Sequence, residues 1–255
     1  MDVNTLLEKV ENAKALDFGD IFNKSIELFK KVWLQGLIML LLTVALMIPI
    51  YIVMYFPLIA LGLLDQEVLQ HNEDLNIVIA IPMIILVLLI SFFAMIIGFG
   101  LQSAFYRICK NKDLNEMGSD DYFYFFKRPY LGKTINLAIM TFGISVVAML
   151  LCVLPLIYVM VPIALITVIY ALNPDLSASE IIKVGFKLGN RKWVITFGLL
   201  IVSSILAQLV GMLLCIVGVF VTASFSYLPT YFVYKESVGF EPAADSNTIE
   251  KSEAS

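Results

Sequence analysis

The chain has 255 residues, 60% of them hydrophobic and only 15% charged, with a formal net charge of −4. Soluble domains are roughly half apolar and a quarter charged, so the balance excludes an ordinary soluble domain and predicts an all-α integral membrane protein. Cys109, Cys152 and Cys215 are widely separated, which offers neither a disulfide framework nor a metal-ligand spacing.

Residues 1–16 are polar with scattered Leu6, Leu7 and Val10 and read as a loosely helical or disordered lead-in. Asp17 to Trp33, DFGDIFNKSIELFKKVW, places Phe18, Ile21, Phe22, Ile26, Phe29, Val32 and Trp33 at three- and four-residue steps, the pattern of an amphipathic helix. No short apolar segment with a cleavage site precedes the first long apolar run, so the first span is expected to do the targeting. Similar arrangements return at Ser119 to Lys133 and at Ser177 to Trp193. Each is expected to be an interfacial helix feeding a membrane hairpin.

Trp33 to Leu64 carries no charge for 32 residues, ~48 Å as helix and too short for two spans. It predicts one tilted or kinked span, with Pro49 and Pro57 as break points. Thr134 to Leu172 is uncharged for 39 residues, ~58 Å, enough for two short spans turning near Pro155. Ser177 and Glu180 form a capping-box pattern. The expected organisation is a polar lead-in at 1–16, a six-span domain at 17–236 with spans at about 33–60, 77–106, 134–153, 156–172, 194–212 and 216–234, and a disordered tail at 237–255. The six spans form three hairpins.

The placement of basic residues tests this layout. All 17 Lys and Arg fall in the N-terminal segment, the second-to-third and fourth-to-fifth connections, or the tail. Under the positive-inside rule both termini are cytoplasmic in a multi-pass cell (inner) membrane protein. Setting Trp33 against Trp193 aligns Asp20 with Glu180 and Lys31 with Arg191, and Tyr106, Tyr170 and Tyr234 close the even spans at equal spacing. A threefold duplication would produce this, and so would the recurrence of aromatic and basic residues at every span end.

No Asp, Glu, Lys, Arg or His lies well inside a predicted span, which counts against ion-coupled carriers, proton relays and intramembrane hydrolases. His71 stands beside Glu73 and Asp74 in an outer loop. No nucleophile elbow, metalloprotease motif or phosphate-binding loop occurs, and no catalytic residue, cofactor, metal or nucleic-acid partner is expected. Rows of small residues (Ser203, Ala207, Gly211; Gly218, Thr222, Ser226; Ala94, Gly98) suit close helix packing. Asn136, Thr141 and Gln208 are candidates for a polar lining at the membrane midplane. Lys183, Lys187, Arg191 and Lys192 are candidate contacts for anionic lipid, with Ile181, Ile182, Gly185 and Phe186 facing the acyl chains; the same four cations would also arise simply from setting topology.

The segments DFGDIFNKSIELFKKVW, LSASEIIKVGFKLGNRKW and YLPTYFVYKE resemble the six-span families related to the membrane domain found beside glycerophosphodiester phosphodiesterases, and uncharacterised bacterial relatives. The resemblance implies a six-helix membrane domain and carries over no catalytic residue. The sequence thus predicts a non-enzymatic, cytoplasm-facing membrane protein that binds lipid or a membrane or cytoplasmic protein partner. The alternative is a permease for a neutral or lipophilic solute.

Overall fold

A computed structural model describes residues 1–60, 73–151 and 153–240, and these are helical with no strand. The helices are α1 (Val3–Asn12), α2 (Phe18–Ala60), α3 (Glu73–Leu114), α4 (Arg128–Leu150), α5 (Val153–Leu172), α6 (Ala178–Arg191), α7 (Trp193–Leu213), α8 (Cys215–Thr222) and α9 (Leu228–Val238). His71, Cys152, most of the outer loop and the tail from residue 241 lie outside the described residues.

The lead-in is more ordered than its composition suggests. The Asp2 carboxylate accepts from the Asn4 N–H at 3.3 Å and caps α1. Leu6 and Val10, one turn apart, are fully buried where α1 packs on α6 and α9. A ten-residue helix is marginal by itself, so this docking is what holds it.

Of the three expected interfacial helices, one is present as a separate element. Asp17–Trp33 is not a separate helix, because α2 runs unbroken from Phe18 for 43 residues, ~65 Å, through Pro49. An interior proline removes one hydrogen bond and can bend a helix without ending it. Ser119–Lys133 is not a helix either. After α3 ends at Leu114, Asn115 adopts the left-handed φ of 53° that asparagine tolerates, and the chain runs irregularly to a 3-10 turn at Tyr124–Phe126. Its aromatics pack inward. Phe125 is fully buried with its ring 4.6 Å from that of Tyr170, and the ring of Phe126 fills the space where a Cβ on Gly100 would be. The third element, α6, has both arms of its capping box: the Ser177 N–H donates to Glu180 Oε2 at 2.8 Å, and the Glu180 N–H reaches back to Ser177 Oγ. Three different conformations in the corresponding positions give a threefold repeat no support.

Among the described residues, five helical stretches are long and apolar enough to cross a membrane: Phe18–Phe56, Ile81–Leu114, Arg128–Leu150, Leu154–Leu172 and Trp193–Leu213. The sixth predicted span, 216–234, is divided among α8, a 3-10 segment at Ala223–Tyr227, and α9. Ser224 and Ser226 turn their hydroxyls back to the carbonyls of Val221 and Ala223 three residues earlier, which suits the tighter 3-10 turn. Pro229 then begins α9 without needing a backbone donor. That helix continues to Val238, so Ser237 and Val238 are buried rather than part of a loose tail.

The two ends of the bundle differ. At the charged end, four tyrosines are fully buried and tie helices together. Tyr170 Oη lies 2.7 Å from Thr134 Oγ1 on α4, Asn173 donates to Tyr234 Oη at 2.6 Å, and Tyr231 and Lys235 both donate to Asp113. At the other end Val53, Leu150, Leu154 and Leu213 are 74–84% exposed. A soluble monomer rarely leaves such apolar surface bare, and the pattern fits a multi-pass membrane protein.

Candidate functional site

The small-residue rows behave in two ways. Between α7 and α8 they close the gap: Thr222 Oγ1 donates to the Ala207 carbonyl at 2.7 Å, and a Cβ on Gly211 would lie 2.7 Å from Val219 Cα. On α3 the row opens one instead. No atom lies within 4 Å of where a side chain would begin at Gly98. Together with Ala94, this leaves a cleft of about 650 Å³ between α3, α5, α7 and the start of α9, within the size range of small-molecule sites.

The cleft is long and mostly apolar. It follows α3 from Ala94 to Tyr106, ~18 Å at helical rise. Leu156, Ile157, Met160 and Ile201 at its mouth are partly exposed apolar residues, so it opens sideways onto the apolar surface. Among the described residues no Asp, Glu, Lys, Arg or His lines it.

A connected set of polar groups closes its charged end. Thr230 Oγ1 donates to the Tyr227 carbonyl at 2.6 Å. The Tyr106 hydroxyl lies 2.7 Å from Thr230 Oγ1 and also donates to the Tyr227 carbonyl at 3.2 Å, and Gln102 Nε2 donates to Tyr106 Oη at 3.2 Å. Amide, phenol, hydroxyl and carbonyl thus form one connected network. Tyr106 is fully buried, so its position is fixed by packing and by this network.

The residues singled out from sequence fare differently. Thr141 is buried, but its hydroxyl returns to the Leu137 and Ala138 carbonyls of its own helix. Asn136 is exposed on α4. Gln208 is exposed on α7, beside a separate small pocket of about 150 Å³. The structure does not bring these three together. Gln102 and Tyr106 were missed because both stand at the end of a span, where polar and aromatic residues are expected anyway; the signal was a glutamine one turn before a tyrosine in an otherwise apolar run.

The basic set on α6 is also divided. Lys183 and Arg191 are exposed. Lys187 forms an ion pair with Glu11 at 2.7 Å, and its hydrogen bond and charge hold the Glu11 carboxyl below the usual value of 4.5, with Arg191 adding a smaller effect. Lys192 is only 8% exposed and donates to the Ala13 and Lys14 carbonyls; burial, then the neighbouring Arg191, lowers its pKa. It is therefore no lipid contact but a clamp on the α1–α2 connector. The apolar face of α6 is equally occupied. Ile181, Val184 and Leu188 are fully buried, and Gly185 and Gly189 bring α6 against Ile166 and Pro162 of α5. Ile181 and Gly185 thus face protein and not acyl chains, because the glycines let the helix axes approach.

Among the described residues no group of three or more His, Cys, Asp or Glu side chains is placed to hold a metal ion. No family model, curated protein or solved structure matches the chain.

Proposed function

We propose that the protein is a non-enzymatic, multi-pass membrane protein that binds a membrane lipid in the cleft between α3, α5 and α7, with its charged end and both termini in the cytoplasm. The observation that carries this reading is the sideways opening of the cleft onto exposed apolar surface. At that depth the surrounding solvent is hydrocarbon, and an apolar cavity there is filled by an acyl chain rather than by water. The ~18 Å length of the cleft is close to one leaflet of a ~30 Å hydrocarbon core.

Supporting a sixth crossing, Gly218 packs on Gly211 at the far end of α7, while Glu236 pairs with Lys24 at the charged end. The broken segment from α8 to α9 therefore leads from one end of the bundle to the other, in keeping with six spans and with the six-span families that the sequence resembles. A permease reading draws little from Asn136, Thr141 and Gln208, which do not share a face.

The test fills the cleft. Gly98→Leu adds a side chain into open space and favours helix by about 1 kcal/mol, so the variant is expected to fold at least as well as wild type. Native mass spectrometry should find a retained lipid on wild type and markedly less on Gly98→Leu. Equal retention by a folded variant, or a wild-type protein free of lipid, would overturn the reading.

A further inference from the structure

The polar end of the cleft specifies a headgroup. We infer that the cleft selects a neutral lipid alcohol, with one hydrocarbon chain along α3 and its hydroxyl donating to the Gln102 carbonyl; this rests on the lipid-binding reading above. Two features point there. Among the described residues the lining holds no charged side chain, and a phosphate or carboxylate buried without a cation is strongly disfavoured, which counts against phospholipid and fatty-acid headgroups at the inner end. The hydrogen-bond direction then narrows the neutral choices. Ser145, Thr167, Ser226 and Thr230 donate to backbone carbonyls, and the buried Tyr106 hydroxyl lies within hydrogen-bond distance of Thr230 Oγ1 and the Tyr227 carbonyl, so these protons are committed within the protein. Gln102 uses one amide N–H on Tyr106, which leaves its second N–H as a donor and its carbonyl oxygen as an acceptor. Ser204 on the α7 wall can turn its hydroxyl either way. Gln102 thus offers a donor and an acceptor side by side, matched by a ligand that both donates and accepts, as an alcohol does and an ether, ester or quinone does not.

Purified full-length protein would be equilibrated with mixed micelles containing dioleoylglycerol, its 3-O-methyl ether, or dioleoyl phosphatidic acid, and the retained lipid measured by native mass spectrometry. A parallel arm with oleyl alcohol and its methyl ether distinguishes a two-chain from a single-chain source. The free alcohol of at least one pair should exceed its methyl ether by about tenfold, the worth of one hydrogen bond, and phosphatidic acid should be the weakest. Gln102→Met should keep the chain but bring alcohol and ether to parity. If alcohol, ether and phosphatidic acid are retained equally, or phosphatidic acid is preferred, the headgroup inference falls while lipid binding stands. If none is retained, both fall. Should Gln102→Met not fold, the wild-type ratio alone decides.

Discussion

Lys187 on α6 holds Glu11 on α1 at 2.7 Å across 176 residues of sequence. The cation expected to meet lipid headgroups therefore docks the N-terminal helix, with Leu6 and Val10 buried beneath it.

The first prediction is a pH dependence of that docking. The Glu11 carboxyl is held below 4.5 by Lys187. A carboxylate with a depressed folded pKa contributes stability above its unfolded value and loses it as pH falls through the folded value. Amide exchange across Val3–Asn12 should accelerate below about pH 4.5 relative to the bundle core. Glu11→Gln should abolish that acid component and exchange at pH 7 as wild type does in acid, whereas Leu6→Ala should loosen α1 at every pH by roughly 2–5 kcal/mol.

The second concerns the α5–α6 crossing. A Cβ on Gly189 would lie 2.9 Å from Pro162 Cγ and 3.0 Å from its Cα, and one on Gly185 would overlap Ile166. Gly189→Ala should therefore cost about 1–3 kcal/mol through overpacking, read as a lowered Tm in detergent. Gly143→Ala, with no atom within 4 Å, should be neutral or stabilising by up to about 1 kcal/mol.

The third tests the Lys192 clamp. Its ammonium donates to the Ala13 and Lys14 carbonyls, and charge-assisted bonds of this kind contribute about 1.5–3 kcal/mol. Lys192→Ala should raise exchange in residues 13–17 and lower Tm, while retention of anionic phospholipid stays unchanged. A selective loss of that phospholipid would return Lys192 to the membrane surface.

The fourth tests sidedness. In a cysteine-free background, single cysteines at Glu67 and Asn115 should label from opposite sides, since the basic residues cluster with Asn115. Labelling of both from outside would remove the cytoplasmic assignment of the charged end.

Much of this protein was legible in its sequence, because hydrocarbon imposes a severe rule: long uncharged runs must become helices that satisfy their own backbone. That rule alone determined the all-helical class, the long apolar helices and the grouping of Lys and Arg between them. The Ser177–Glu180 capping box was equally readable, since its bonds are local. What escaped depended on contacts distant in sequence. Whether Asp17–Trp33, Ser119–Lys133 and Ser177–Trp193 lie on a membrane or join a core is decided by partners such as Tyr170, Ile166 and Pro162, which periodicity cannot name. The division of 216–234 depends on serine hydroxyls choosing backbone carbonyls. The Gly211 and Gly98 rows look alike on paper, yet one meets a helix and the other meets nothing, so only tertiary structure separates a packing seam from a cleft. The physical reason is that a missing side chain permits approach without compelling it, and the fold decides what, if anything, arrives.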